Sequence, residues 1–280
     1  MSNSQPTVSK NAIFPFQVSV ACWIDLLGYG SMIAEAGFSP LRPKAAQALK
    51  RLRRFHEIVA SHSVRHFPTL VMNDGAVAYR DLSLRSRSNT HDFLNRAWKL
   101  FVDIRQSELR DGYPGARLVL ASGYRMRGRR AGMDASAGHF ESLMKRYNQG
   151  NITADRAIRE AASIRPAFDI VPQLQANFAF TKAYVAESAG SAGGLPGANF
   201  YVDMALFQGR PTWLHLGPEI EWSHPRLGLK ATFSSLIDIP ILLNPEAGPL
   251  DIRDGLQVAQ HVEGNADVLA SLRAAKNSRN

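Results

Sequence analysis

The segment Val18-Ser19-Val20-Ala21-Cys22-Trp23-Ile24 is apolar at nearly every position and ends in Asp25. A strand with one wet face alternates apolar and polar residues, whereas an unbroken apolar run means that both faces are covered. The chain therefore has to build a sheet with a strand over about 17–25 near its middle, and that strand ends in a carboxylate. A second apolar run, Phe67-Pro68-Thr69-Leu70-Val71-Met72, leads into Asn73-Asp74-Gly75. A carboxylate at the end of a buried strand is costly unless positive charge neutralises it. Two of them on neighbouring strands suit a hard divalent cation, and such a metal suggests a phosphate substrate.

At 280 residues and 45% hydrophobic, the chain can bury a large core. It reads as a loose tail over 1–14 followed by one domain over 15–280. No run reaches the ~18 apolar residues of a membrane span, and the opening ten residues are polar rather than an export signal. The expectation is a cytoplasmic protein without a membrane partner. The lone cysteine, Cys22, permits no internal disulfide and reads as a small core residue. Lys and Arg number 33 against 24 Asp and Glu, a formal charge of +9 that points to an anionic partner. DNA, RNA, an acidic membrane face and a nucleoside triphosphate satisfy that charge equally.

Gly28-Tyr29-Gly30-Ser31 reads as a turn into a short helix. Pro43 opens a longer one, with Ala45, Ala48, Leu49, Leu52, Phe55, Ile58 and Val59 as its apolar stripe and Lys50, Arg51, Arg53 and Arg54 as a solvated face. Strands over 67–72 and 76–82 flank the Asn73-Asp74-Gly75 turn as a hairpin. Asn89 is positioned to cap a helix to about 110, closed by Asp111-Gly112, and a strand over 117–122 follows. This order is that of a ferredoxin-like βαββαβ core, an α+β fold. An arm insertion occupies about 124–166, with Arg125, Arg127, Arg129 and Arg130 alternating on a hairpin and a polar helical stretch over 138–165. A strand over 168–171, a helix over 173–188, a strand over 200–206 and a helix over 256–275 complete a C-terminal β/α extension.

Trp23-Ile24-Asp25-Leu26-Leu27-Gly28-Tyr29-Gly30 resembles the first metal motif of class III nucleotidyl cyclases. Asn73-Asp74-Gly75 resembles the second, 49 positions later, and Arg117-Leu118-Val119-Leu120-Ala121-Ser122-Gly123 resembles the family's fourth strand. The resemblance implies a cyclase catalytic core in which Asp25, Asp74 and the Leu26 carbonyl hold two Mn²⁺ or Mg²⁺ ions. It also implies conversion of a nucleoside triphosphate to a 3′,5′-cyclic nucleotide and pyrophosphate in sites shared by two subunits of a homodimer. Backbone amides of Gly28, Tyr29, Gly30 and Ser31 are candidates for phosphate contact, and Tyr29 is either a base or sugar contact or a core plug.

The family's helix with Asn, then Arg four residues on, is matched by Asn177. Thr181 stands at the Arg position, however, and Lys182 is the nearest cation, turned ~100° further round the helix. Arg125 is an alternative cation. The purine-reading places hold Leu70 and, one position out of register, Asp169, and a leucine cannot hydrogen-bond a base. The chain is therefore most similar to the pyrimidine cyclases of bacterial Pycsar antiphage systems, which implies cyclic UMP or cyclic CMP as product and a separate effector that the product activates. Other readings are a purine cyclase, an inactive nucleotide-binding homologue, and, from another class, a nucleic-acid-binding ferredoxin-like module. The last is weakened because the inferred central strands offer mostly aliphatic residues for base stacking.

Overall fold

The computed structural model describes residues 16–126, 135–163, 171, 173–240, 251–262 and 266–277. The chain is a mixed α+β protein around a seven-stranded sheet. Its first strand, β1 (Phe16–Leu26), is buried from Val18 to Ile24, as an unbroken apolar run requires. Each fully buried Val or Ile there contributes roughly 1.5–3 kcal/mol. Short α1 (Tyr29–Glu35) and long α2 (Pro43–His62) follow, the latter opened by Pro43. The hairpin of β2 (Thr69–Met72) and β3 (Gly75–Asp81) turns through Asn73, whose φ of 56° is a left-handed conformation that asparagine tolerates. Helix α3 (Ser88–Arg110) leads to β4 (Ala116–Met126). The strand order β2-β3-β1-β4-β5-β7-β6 contains the expected ferredoxin-like set and extends it by three strands, β5 (Phe200–Asp203), β6 (His215–His224) and β7 (Leu229–Asp238).

Side chains at odd positions of β1 share one face, so Trp23 and Asp25 look the same way. Helix α6 (Phe178–Ala189) covers that face: Phe180 and Tyr184 meet the Trp23 ring edge-on, with centroids 6.0 and 5.4 Å away. It approaches β4 at Gly123, where a Cβ would stand 2.8 Å from the backbone nitrogen of Ala179. Helix α3 sets Phe93 against Phe67 (5.1 Å) and Phe101 against Phe200 (5.7 Å).

The chain divides into two compact units, one built from 18–124 and 178–280, the other from 125–177 with the residues just before β1's core. The second unit holds α4 (Ala135–Asn148) and α5 (Ala154–Ser163), tied by Arg146 to Glu160 at 2.7 Å. Residues 127–134, with three of the four alternating arginines, lie outside the described residues, as do the tail and most of the strand expected over 168–171.

Several boundaries differ from expectation for visible reasons. The helix expected from 173 begins at Phe178, because Ala176 adopts a left-handed φ of 45° that interrupts the turn. Arg87, not Asn89, precedes the first residue of α3, and Asn89 lies inside the helix, where it accepts from Arg80. Strand β5 stops at Asp203 because its carboxylate accepts from the Ala205 amide and folds 204–206 into a tight turn. The C-terminal helical stretch is divided into α7 (Gly255–Val262) and α8 (Ala266–Asn277). The basic face of α2 is also not wholly solvated: Arg51 is buried. No described helix is long and apolar enough to cross a membrane.

Candidate active site

Asp25 ends β1 directly opposite Gly75 on β3, and the Leu26 amide donates to the Asp74 carbonyl at 3.1 Å. The register thus brings residues 49 positions apart in sequence to one corner of the sheet. Asp74 stands on the two-residue turn, where Asn73 Nδ2 donates to its Oδ1 at 2.9 Å. His56 of α2 reaches the Asn73 carbonyl at 2.8 Å and steadies that turn.

Gly75 is required at the next position. A Cβ there would lie 2.2 Å from the Trp23 ring and 3.1 Å from Asp25 Oδ1. Trp23 fills the space that a side chain at 75 would take, and the Asp25 carboxyl lies beside it.

Both carboxylates line a cleft of about 820 Å³ with Leu26, Gly28, Gly30 and Ser31 on one side and Phe180, Tyr184, Glu187 and Ser188 of α6 on the other. Burial pushes the Asp25 carboxyl up to about 7, the Glu187 and Asp74 carboxylates add to the rise, and Arg117 and Arg51 oppose it. Negative charge has been gathered here faster than the protein's own cations compensate it. Glu187 is itself shifted up, chiefly by burial, although Arg117 holds it at 3.2 Å. The loop beyond Asp25 is clamped by Arg51, which donates to the Leu27 carbonyl (2.9 Å), forks onto Glu108 and lies 4.6 Å over the Tyr113 ring.

Among the described residues no cluster of three His, Cys, Asp or Glu side chains forms a closed metal site. Two carboxylates and a neighbouring backbone carbonyl nonetheless form an all-oxygen donor set. It suits Mg²⁺ or Mn²⁺, which take few protein ligands and complete their shell with water and substrate phosphates. The unmet charge of Asp25 fits the same occupant.

The remaining expected site residues are placed as follows. Gly28, with φ of 75°, precedes α1 without a side-chain cap, and Gly30 and Ser31 face the cleft. Tyr29 is 5% exposed and does not line the cleft, so of its two readings the structure fits the core plug. Asn177 precedes α6 instead of lying on it, with Nδ2 donating to the Gln173 carbonyl at 3.0 Å. It pairs with Arg125 in an isolated antiparallel bridge within the second unit. Asp169 lies outside the described residues.

Lys182 is held at 2.6 Å by Asp203, and the two line a different cavity. Residues 180, 184 and 187 share one helical face, while 182 is ~200° from 180. Helix α6 therefore separates two chambers: the carboxylate cleft and a cavity of about 680 Å³ between the ends of β4 and β5, the β6–β7 hairpin and α7.

No protein-family model and no curated protein matches this chain. Among solved structures, it is similar to the guanylyl cyclase Cya2 at 11% identity and a TM-score of 0.48, covering 82% of this chain and 96% of that one. The adenylyl cyclase CyaB from P. aeruginosa is similar at 9% identity and a TM-score of 0.46, covering 80% of this chain and 95% of that one. A rhodopsin-guanylyl cyclase catalytic core in complex with ATPαS is similar at 10% identity and a TM-score of 0.44, covering 79% of this chain and 96% of that one. The reading of the site rests on its own geometry.

The sequence did not single out Glu187, Arg117, Arg51 or Asp203 for the roles they hold. Their partners are distant in the chain, 70 positions for Arg117 and Glu187 and 57 for Arg51 and Glu108. For Arg117, Glu187 and Asp203 the only local sign was charge inside otherwise apolar segments, and Arg51 had none.

Proposed function

We propose that the protein is a metal-dependent nucleotidyl cyclase acting on a nucleoside triphosphate. The observation that carries this reading is the strand register that sets Asp25 and Asp74 side by side at one mouth of the sheet. Two bound Mn²⁺ or Mg²⁺ ions would polarise the ribose 3′-hydroxyl and neutralise charge on the triphosphate. Asp25, Asp74 and the Leu26 carbonyl would hold them, and the α1 entry at Gly28, Gly30 and Ser31 faces the same space for phosphate oxygens. Trp23, Phe180 and Tyr184 form the wall that limits water beside the carboxylates. Lys182 lines the other cavity and not the carboxylate cleft, so it takes no part in this site.

The functional unit is a homodimer with the carboxylates of one protomer facing its twin. Exposed Met72 (41%) and Tyr184 (46%) on the cleft rim support a covered surface at that place. A pyrimidine base, uracil before cytosine, is favoured by Leu70, which sits on β2 opposite Val77 where a purine reader would carry a hydrogen-bonding side chain. A cyclic pyrimidine nucleotide made this way would act through a separate effector, in antiphage defence.

Incubation with each of the four triphosphates and Mn²⁺, followed by identification of the product, tests the reading. A cyclic product lost in both Asp25→Ala and Asp74→Ala upholds it, and the preferred triphosphate names the base. Turnover that survives either substitution refutes it, as does the absence of any cyclic product from a folded, Mn²⁺-binding dimer.

A further inference from the structure

We infer that the cavity on the far side of α6 is a binding site for a phosphate-bearing anion, separate from the carboxylate cleft. Its lining includes cations fixed by partners that do not use up their donors. Lys182, 8% exposed, gives one N–H to Asp203 and keeps two. Asp203 is fully engaged, accepting also from the Ser122 amide (3.0 Å), the Ser122 hydroxyl (2.9 Å) and the Ala205 amide (3.0 Å). It anchors Lys182, and its charge also acts on Arg253 and His261.

Arg253 is anchored by a neutral group: its Nη1 donates to the Ala205 carbonyl at 3.0 Å, and no other hydrogen bond from its guanidinium is recorded among the described residues. Arg210 is likewise held on neutral carbonyls, reaching that of Gly217 at 2.9 Å. A guanidinium pinned by carbonyls has fixed direction and keeps donors free; burial lowers the pKa of Arg253, and the Asp203 charge opposes that shift.

His261 lines the same cavity; burial lowers its pKa, Arg253 and Lys182 lower it further, and Asp203 opposes them. The lining also carries the exposed acids Glu219 and Glu221 of β6 and Lys230 of β7, and Glu221 accepts from Thr232 at 2.9 Å. Lys182, Arg253 and Arg210 on one cavity, with free N–H groups and the His261 imidazole beside them, make a receptor for a multiply charged tetrahedral oxyanion. At about 680 Å³ the cavity has room for more than the anion alone.

The test is calorimetric titration of the full chain with inorganic phosphate, pyrophosphate and a nucleoside monophosphate. EDTA excludes metal-mediated binding in the other cleft, and sodium chloride is matched for ionic strength. Saturable binding that weakens about tenfold or more in Arg253→Gln, recovers in part in Arg253→Lys, and stays within about twofold in Asp25→Asn is the expected result. Binding should also raise the pKa of the His261 ring, read by NMR. A nucleoside monophosphate that binds more tightly than phosphate assigns the site to nucleotides, and equal affinity assigns it to the free anion. No saturable binding, undiminished binding in Arg253→Gln, or loss in Asp25→Asn overturns the inference. Because metal is absent throughout, these outcomes are independent of the cyclase reading.

Discussion

Helix α6 divides two chambers of opposite electrostatic character. On one side Asp25, Asp74 and Glu187 crowd together, and Asp25 is forced toward neutrality. On the other, Asp203 is even more deeply buried, yet its carboxyl is held below the usual range because Lys182, Ser122 and Ala205 satisfy it. The same residue type at the end of a strand therefore behaves in opposite ways. What differs is whether the protein supplies the counter-charge itself or leaves it to a ligand. A carboxylate left short of positive charge suits a cation from solution, whereas one fully satisfied is a structural anchor.

Removing the unmet carboxylates should have the largest effect. Asp25→Ala and Asp74→Ala are each expected to lower cyclic-nucleotide formation by ~10³-fold or more while leaving the folded state intact. Loss of folding instead would mean that these groups are anchors like Asp203 and would erase the contrast. On the satisfied side, Lys182→Met strands a buried carboxylate and should cost about 3–5 kcal/mol in denaturant unfolding. The double variant Lys182→Met with Asp203→Asn should recover a large part of that, and failure to do so would show that the pair is not the source of the cost. Gly75→Ala pushes a methyl group into the Trp23 ring and should destabilise by about 1–3 kcal/mol while weakening Mn²⁺ binding.

The pH response sharpens the contrast further. Asp25 titrates near 7 in the fold and near ~4 when unfolded. Between these values the native state holds the extra proton, so this group's contribution to stability is full below pH ~4 and is lost as the pH rises through about 7. Asp25→Asn should flatten that decline in the metal-free protein. Conversely, Mn²⁺ competes with the proton, and its affinity should rise up to tenfold per pH unit before levelling above about 7. The smallest expected effect is at Cys22, whose thiol burial pushes up to about 12. Alkylation should proceed only at the rate of global opening, and faster labelling would show that β1 is not the rigid reference assumed here.

Much of this was legible in the chain. The apolar run before Asp25 marks a buried strand and the Asn-Asp-Gly turn a hairpin, and the register of β2 on β3 follows from the turn itself. Tertiary pairing was not legible. Arg51 sat among three other basic residues, and nothing local distinguished the one whose guanidinium crosses to Glu108. Lys182 looked like a displaced catalytic cation because Asp203, 21 positions later, gives no sign in sequence of pointing back at it. The resemblance places Asn177 on a helix, and no sequence pattern registers the left-handed Ala176 beside it.

The indole that overlies Gly75 has an evolutionary consequence. Positions 23 and 75 share one volume, so neither can drift alone: a larger residue at 75 becomes acceptable only after the tryptophan has been exchanged for something smaller. In a library of paired substitutions they should behave as a single inherited unit, with Gly75→Ala tolerated in the background of Trp23→Leu and rejected in the parent.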